Sequence, residues 1–208
     1  MKKLFFAFAL FFLLSNCSIA QVSLRLVNYR PTGEFGFVMK PAWSVEVGWQ
    51  PRFSKRTTKR MRTGFSLLYL NMKPRMEVFP VSGVLHDGNG TTVLPGSQAF
   101  QRYRVFQLAG GFDYAVVHRQ KLNLYAGFDI IAGVVSVDYT HDIPGWKNES
   151  YQGGGIMGGG RVRLGAEYSL SDRISIFLNA SRSTFLLSEP TSISSANDYG
   201  LGVRYSFN

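Results

Sequence analysis

The chain has 208 residues, with 22 glycines, one cysteine, 14% aromatic residues and a formal net charge of +10. Charged residues make up 17% of the chain, against roughly 25% in an average soluble domain. This composition excludes a disordered chain and a coiled coil, and it favours an all-β protein with a single main domain.

Residues 1–20 have the pattern of a secretory signal peptide. Two lysines precede an apolar run over 4–14, which is too short to span a bilayer as a helix. Small residues at both recognition positions predict cleavage after Ala20, so that 21–208 is the exported domain. Lipidation of Cys17 is the alternative; if cleavage follows Ala20, the mature chain has no cysteine for a disulfide or a nucleophile.

Most of the remaining chain alternates between apolar and small or polar residues, which is the period of a half-buried strand. The clearest case is the C-terminal segment, where Tyr199, Leu201 and Val203 alternate with Gly200 and Gly202. The pattern predicts eight strands, at 22–30, 34–50, 61–73, 101–117, 121–140, 156–170, 173–187 and 197–208.

The predicted connections also alternate in length. Those at 51–60, 118–120 and 171–172 are short to moderate, and those at 74–100, 141–155 and 188–196 are longer. Short turns at one end and long loops at the other are typical of outer-membrane barrels, in which the short turns are periplasmic.

Two positions are open for the first turn, 30–33 and 39–41. We place it at 30–33, because Phe35 and Met39 stay in phase with Trp43. Pro41 then falls within a strand, where it requires an edge, a bulge or the barrel rim.

Alternation fits both a soluble barrel with an apolar interior and a membrane barrel with an apolar exterior. We favour the membrane barrel, because the polar face has arginines and acids in equal number and many glycines, while aromatic residues lie near strand ends. Balanced charges pair within a narrow lumen, whereas an unpaired buried charge costs several kcal/mol. The predicted lumen ion-pair network comprises Arg25, Glu46, Asp113, Asp129, Arg161, Arg163, Glu167 and Arg204. A narrow ion path along these residues is the alternative.

One run of cations contains no acid and falls in a predicted periplasmic turn. A solvated turn is the simplest interpretation, and attraction to anionic headgroups or to a periplasmic partner is the functional one. No nucleic-acid-binding motif accompanies it, so we expect no nucleic-acid partner. This predicted periplasmic basic turn comprises Arg52, Lys55, Arg56, Lys59, Arg60 and Arg62.

The C-terminal segment resembles the β-signal of outer-membrane proteins, with Gly202 followed by Tyr205 and Phe207, although Asn208 follows the final aromatic residue. The alternation over the mature chain resembles small barrels of the OmpA-transmembrane and OmpX class. Segments 37–41, 88–96 and 197–202 are similar to the outer-membrane β-barrel family common in Bacteroidota. The resemblance implies an eight-stranded antiparallel transmembrane β-barrel in the outer membrane. It also implies the barrel-assembly machinery, outer-membrane lipid and lipopolysaccharide as partners.

No catalytic, cofactor or metal motif is evident. His86 and His141 fall in or beside two predicted extracellular loops with Ser82, Ser97 and Ser150, which are the residue types of a serine hydrolase without its motif. We therefore expect no catalysis and no cofactor. The predicted role is structural or one of surface interaction through the loops at 74–100 and 141–155. The alternatives are an accessory subunit of a larger envelope complex, with an envelope protein partner, and a lipid A-modifying hydrolase or acyltransferase.

Overall fold

The computed structural model describes residues 20–51, 60–75, 78–87, 90–143, 150–188 and 192–207. The predicted signal peptide therefore lies almost entirely outside the described residues. Within the described ranges the only helix is far too short to cross a membrane. The elements are β1 (Ala20–Thr32), α1 (Gly33–Val38), β2 (Ala42–Pro51), β3 (Met61–Met72), β4 (Val78–Asp87), β5 (Gly90–His118), β6 (Leu122–Asp142), β7 (Ser150–Ser169), β8 (Ile174–Leu187) and β9 (Ser192–Ser206).

Eight of these strands close into an antiparallel barrel, which confirms the predicted fold. The order around the wall is β1, β2, β3, β5, β6, β7, β8 and β9, and β9 pairs with β1 to close it, as in Leu24 opposite Val203. The short turns around 119–121 and 170–173 lie at the same end as both termini of the barrel. By the rule for outer-membrane barrels this end is periplasmic, and the opposite end is extracellular.

The apolar face of the alternation points outward, as predicted. Leu24, Leu164 and Leu201 are 57%, 61% and 56% exposed. Trp43 and Tyr199 lie toward the extracellular side of this apolar belt. Such a surface suits a lipid environment, because aromatic rings at its borders match the two membrane interfaces.

The lumen is filled by two layers of different chemistry. Its periplasmic half holds charged residues, but its extracellular half is apolar, and this apolar half was not part of the predicted small or polar lumen face. The physical reason is that both faces of the strands are apolar there, as in Leu67 and Leu68 or Ile130 and Ile131. This apolar plug consists of Val27, Tyr29, Leu68, Leu70, Met72, Tyr103, Val105, Ile131, Val135, Met157, Phe185 and Leu187, with Phe35 from α1.

The predicted strand over 34–50 is wrong in its first part. Gly33 has a φ of +64°, a conformation that favours glycine, and α1 begins at this residue. The helix places Phe35 in the extracellular mouth of the barrel, with ring centroids 5.1 Å from Tyr103 and 6.1 Å from Phe185. Pro41 lies before β2 rather than inside a strand.

The predicted long loop at 74–100 is also corrected, because most of it forms a β-hairpin. Within the described residues β4 pairs only with β5, from Val78 opposite Ala99 to Asp87 opposite Gly90. The pairing of β3 with β5 ends at Met72 opposite Tyr103. Residues 90–102 of β5 therefore extend beyond the β3 rim, by roughly 40 Å along the strand.

Candidate functional site

A continuous chain of ion pairs crosses the periplasmic half of the lumen. Arg161 lies at its centre, is 1% exposed and donates to Glu46 at 3.0 Å and to Asp129 at 2.7 Å. Glu46 also accepts from Arg25 at 2.5 Å, and Asp129 is 3.2 Å from a nitrogen of Arg163. Each central carboxylate therefore lies between two guanidinium groups, which come from β1 and β7 at Glu46 and both from β7 at Asp129.

Both ends of this chain are acidic. Asp113 lies 2.7 Å from Arg163, and Asp198 lies 3.1 Å from Arg25. Asp198 was not among the predicted network residues, although it follows the same alternation as Arg204 and so faces the lumen. The chain thus contains three arginines and four acids.

A second, smaller group lies nearer the periplasmic end. Arg204 and Arg62 both donate to Glu167, and the guanidinium of Arg204 lies 5.1 Å above the ring centroid of Phe177. Arg62 was grouped with the periplasmic basic turn, but the structure places it in β3. Its inward direction follows from the strand alternation, which the cluster of cations around it obscured.

All eight residues of the predicted lumen network are brought together in these two groups, with Asp198 and Arg62 added. A further pair, Arg104 with Asp138, lies toward the extracellular side at 2.5 Å. Arg104 and Asp138 are in phase with the outward-facing residues of their strands, so the lumen ion pairs of the described residues involve five arginines and five acids. The lumen charges therefore cancel, which is what desolvation of a closed interior demands.

The two layers leave little free space. A polar cavity of about 40 Å³ lies among Arg25, Gln50, Asn179 and Arg204, which is room for about three water molecules. Above it the plug residues Leu70 and Met72 are fully buried. Side chains therefore fill the barrel, as expected for eight strands.

Of the predicted periplasmic basic turn, Arg52, Lys55, Arg56 and Lys59 lie outside the described residues. Arg60 is exposed in a turn, and its carbonyl accepts a hydrogen bond from the backbone of Ala115 at 2.7 Å.

The predicted assembly-signal residues lie near the end of β9 and face both sides of the barrel wall. Tyr205 and Phe207 face outward, with ring centroids 4.9 Å apart in an edge-to-face arrangement. Gly202 faces the lumen, where a β-carbon would overlap the ring of Phe177 and lie 2.6 Å from the carbonyl oxygen of Leu24. Glycine is thus required at this position by the packing of the finished barrel.

The strand register gives the position of two residues of the hydrolase alternative, Ser97 and His141. Ser97 lies opposite Asp142, whereas His141 lies opposite Gln98. The side chains of His86, His141 and Ser150 lie outside those described. The described residues also contain no group of three or more His, Cys, Asp or Glu residues suited to a metal ion.

Solved structures share this fold. Neisserial surface protein A (NspA) superposes with a TM-score of 0.54 at 11% identity, covering 90% of this chain and 95% of NspA. The chain has the fold of a small outer-membrane β-barrel. Ail, the attachment invasion locus protein of Yersinia pestis, in complex with the heparin analogue sucrose octasulfate, gives a TM-score of 0.50 at 9% identity, covering 91% of this chain and 98% of Ail. No protein-family model and no curated protein matches the sequence.

Taken with the apolar belt, this fold assigns the barrel to the outer membrane, as predicted. At these identities the likeness establishes the fold alone. The similarity to a family common in Bacteroidota therefore stays a prediction, as does the absence of catalysis.

Proposed function

We propose that this barrel is a non-conducting, non-catalytic scaffold that presents a β-sheet arm to another protein at the cell surface. The arm comprises β4, residues 90–102 of β5, 138–142 of β6 and 150–156 of β7. Its projection beyond the rest of the extracellular rim is the observation that supports the proposal. Side chains fill the lumen, so among the described residues this arm is the largest surface that the barrel presents beyond the membrane.

One face of the hairpin is covered by the residue that directly follows β6. Ile143, which is 5% exposed, covers Gly83 and Gly96. A β-carbon at Gly83 would lie 3.0 Å from Ile143, and one at Gly96 would lie 2.6 Å from it. This close approach orients the hairpin, which lowers the ordering cost of binding a partner.

The opposite face of the hairpin is exposed and uncharged. Val78 and Val93 are 51% and 61% exposed, and Pro80, Ser82 and Pro95 are exposed beside them. An exposed apolar and uncharged surface of this kind is typical of a protein-contact surface. It favours an envelope or surface protein over a highly charged ligand.

Two partners belong to the membrane itself. Arg30 and Arg182 are exposed and lie in one row across β1 and β8, on either side of Asn197. Tyr199 lies below this row, and its ring is 5.5 Å from the guanidinium of Arg30. We propose that this row contacts lipopolysaccharide phosphates, and that the barrel-assembly machinery engages β9.

The experiment is site-specific photocrosslinking in intact cells from position 93 of the arm. The matched variant Val78→Ser with Pro80→Ser retains the arm and removes part of its apolar surface. We expect one crosslinked partner from wild type, much weaker crosslinking from the variant, and equal heat-modifiability on a gel for both. An unchanged crosslinking pattern would contradict the proposed contact surface.

The same preparations test the other roles. A stoichiometric partner that remains after replacement of 79–98 by a two-residue turn would indicate an accessory subunit held by the barrel wall. A changed lipid A composition in a strain with His86→Ala and His141→Ala would overturn the proposed absence of catalysis.

A further inference from the structure

The lipid-facing wall of β6, β7 and β8 contains a groove near the periplasmic end. Its floor consists of Ala126, Ala166 and Ala180, which alternate across the three strands with leucines. In one row Ala166 lies between Leu124 and Leu178, and in the next row Leu164 lies between Ala126 and Ala180. The alanines therefore form a depression bordered by leucine side chains.

A β-bulge completes one side of this groove. The pairing of β5 with β6 shifts between Ala115 and Val117, so Val116 is the extra residue. Val116 is 63% exposed and lines the groove. Bulges at barrel rims bend a strand and redirect a side chain. Here the Val116 side chain points outward and forms one side of the groove.

Cations lie just beyond the periplasmic end of the groove. Arg119, Lys121 and Arg173 are exposed in the two short turns, with Asp172 as the exposed acid among them. The backbone of Lys121 accepts a hydrogen bond from Ser169 at 2.8 Å. Ser169 is three residues from Ala166, so Lys121 lies roughly 10 Å from the groove floor along the strand.

We propose that this groove and these turns bind one anionic phospholipid of the periplasmic leaflet. An acyl chain fills the alanine depression, and the phosphate lies between the cations of the turns. The charge of the turns favours an anionic headgroup over a zwitterionic one. A second copy of the barrel fits less well, because a two-fold interface here would bring Lys121 and Arg119 close to the same cations of the other copy.

The inference requires only that the barrel lies in the outer membrane, and it does not depend on the arm. The test is native mass spectrometry of the full mature barrel in detergent, with phosphatidylglycerol and phosphatidylethanolamine of identical acyl chains as probes. We expect wild type to retain one phosphatidylglycerol and to prefer it over phosphatidylethanolamine.

The variant Ala166→Leu fills the depression and is expected to weaken phosphatidylglycerol retention about tenfold. Ala132→Leu, on the same lipid-facing surface nearer the extracellular end, is the matched control and is expected to retain the lipid as wild type does. Lys121→Gln is expected to reduce the preference for phosphatidylglycerol about fivefold. Ala180→Leu replaces Ala166→Leu if that variant does not show the heat-modifiability of a folded barrel.

Equal retention by wild type and Ala166→Leu would overturn the proposal, as would equal loss in Ala132→Leu. Binding of both lipids without preference would overturn the assignment of an anionic headgroup. A dimer that Ala166→Leu abolishes, with no retained lipid, would show that a second copy occupies the groove.

Discussion

Arg161 is the single side chain on which the larger lumen network most depends. Replacing it by methionine, which has a similar length and no charge, removes the donor to Glu46 at 3.0 Å and to Asp129 at 2.7 Å. Both carboxylates are buried, so bulk solvent does not replace the lost partner. Breaking a buried ion pair in this way costs about 3–5 kcal/mol of folding free energy.

The remaining contacts place the expected cost near the lower end of that range. Glu46 keeps Arg25 at 2.5 Å, and Asp129 keeps Arg163 at 3.2 Å. We therefore expect Arg161→Met to lower the free energy of unfolding by about 3 kcal/mol. Arg104→Met is the control, because the Arg104 and Asp138 side chains are 37% and 19% exposed. Its expected cost is about 1 kcal/mol.

The assay is urea unfolding of the refolded barrel in lipid vesicles, followed by tryptophan fluorescence. Adding Glu46→Gln to Arg161→Met neutralises one of the two carboxylates that lost a partner. The double variant should therefore lose less stability than the sum of the two single variants. If Arg161→Met is no more destabilising than Arg104→Met, or if the double variant is additive, the buried network does not hold the barrel together as argued.

Two further predictions concern packing and assembly. Gly159→Ala should destabilise the barrel by about 2 kcal/mol, because its β-carbon would lie 2.7 Å from the Cα of Phe185. Gly158→Ala is the control in the same unfolding assay. It should be nearly neutral, because its β-carbon would have no neighbour nearer than 4.0 Å. Phe207→Ala should slow assembly into the outer membrane but lower the stability of the assembled barrel by only about 1 kcal/mol, because the half-exposed ring makes an edge-to-face contact with Tyr205 on the outer surface. Pulse-chase heat-modifiability measures the rate of assembly, and a normal rate would argue against β9 as an assembly signal.

Period-two alternation was sufficient to predict the barrel, because each wall strand has one face in lipid and one in the lumen. It failed where both faces are apolar, as at Leu67, which faces outward, and Leu68, which faces the lumen. The apolar plug was therefore not predicted. The alternation also failed at α1, where Phe35 fits the phase of the following strand but is held by Tyr103 and Phe185. Contacts between residues far apart in the sequence determine the structure at such positions, and a local residue pattern does not indicate these contacts.

The candidate site residues could also be predicted only in part from the sequence. The alternation gave the inward direction of all eight predicted network residues, but it did not indicate which charge pairs with which. Asp198 has the same phase as Arg204 and was available from the sequence. The inward phase of Arg62 in the predicted strand over 61–73 was available too, but its cationic neighbours Lys59 and Arg60 led us to group it with the turn.

The two layers of the lumen close the barrel by different means, so opening one should not make a pore. Leu70→Ala with Met72→Ala removes buried side chains from the plug, at a cost of about 2–5 kcal/mol for each. The Arg161 layer below remains in place, with charges held by partners on several strands. Conversely, Arg161→Met leaves the plug intact. In planar-bilayer recordings we therefore expect no steady conductance from wild type or from either variant, and conductance only when both layers are changed together. A steady current from wild type would refute the closed lumen and restore an ion path along the charged residues.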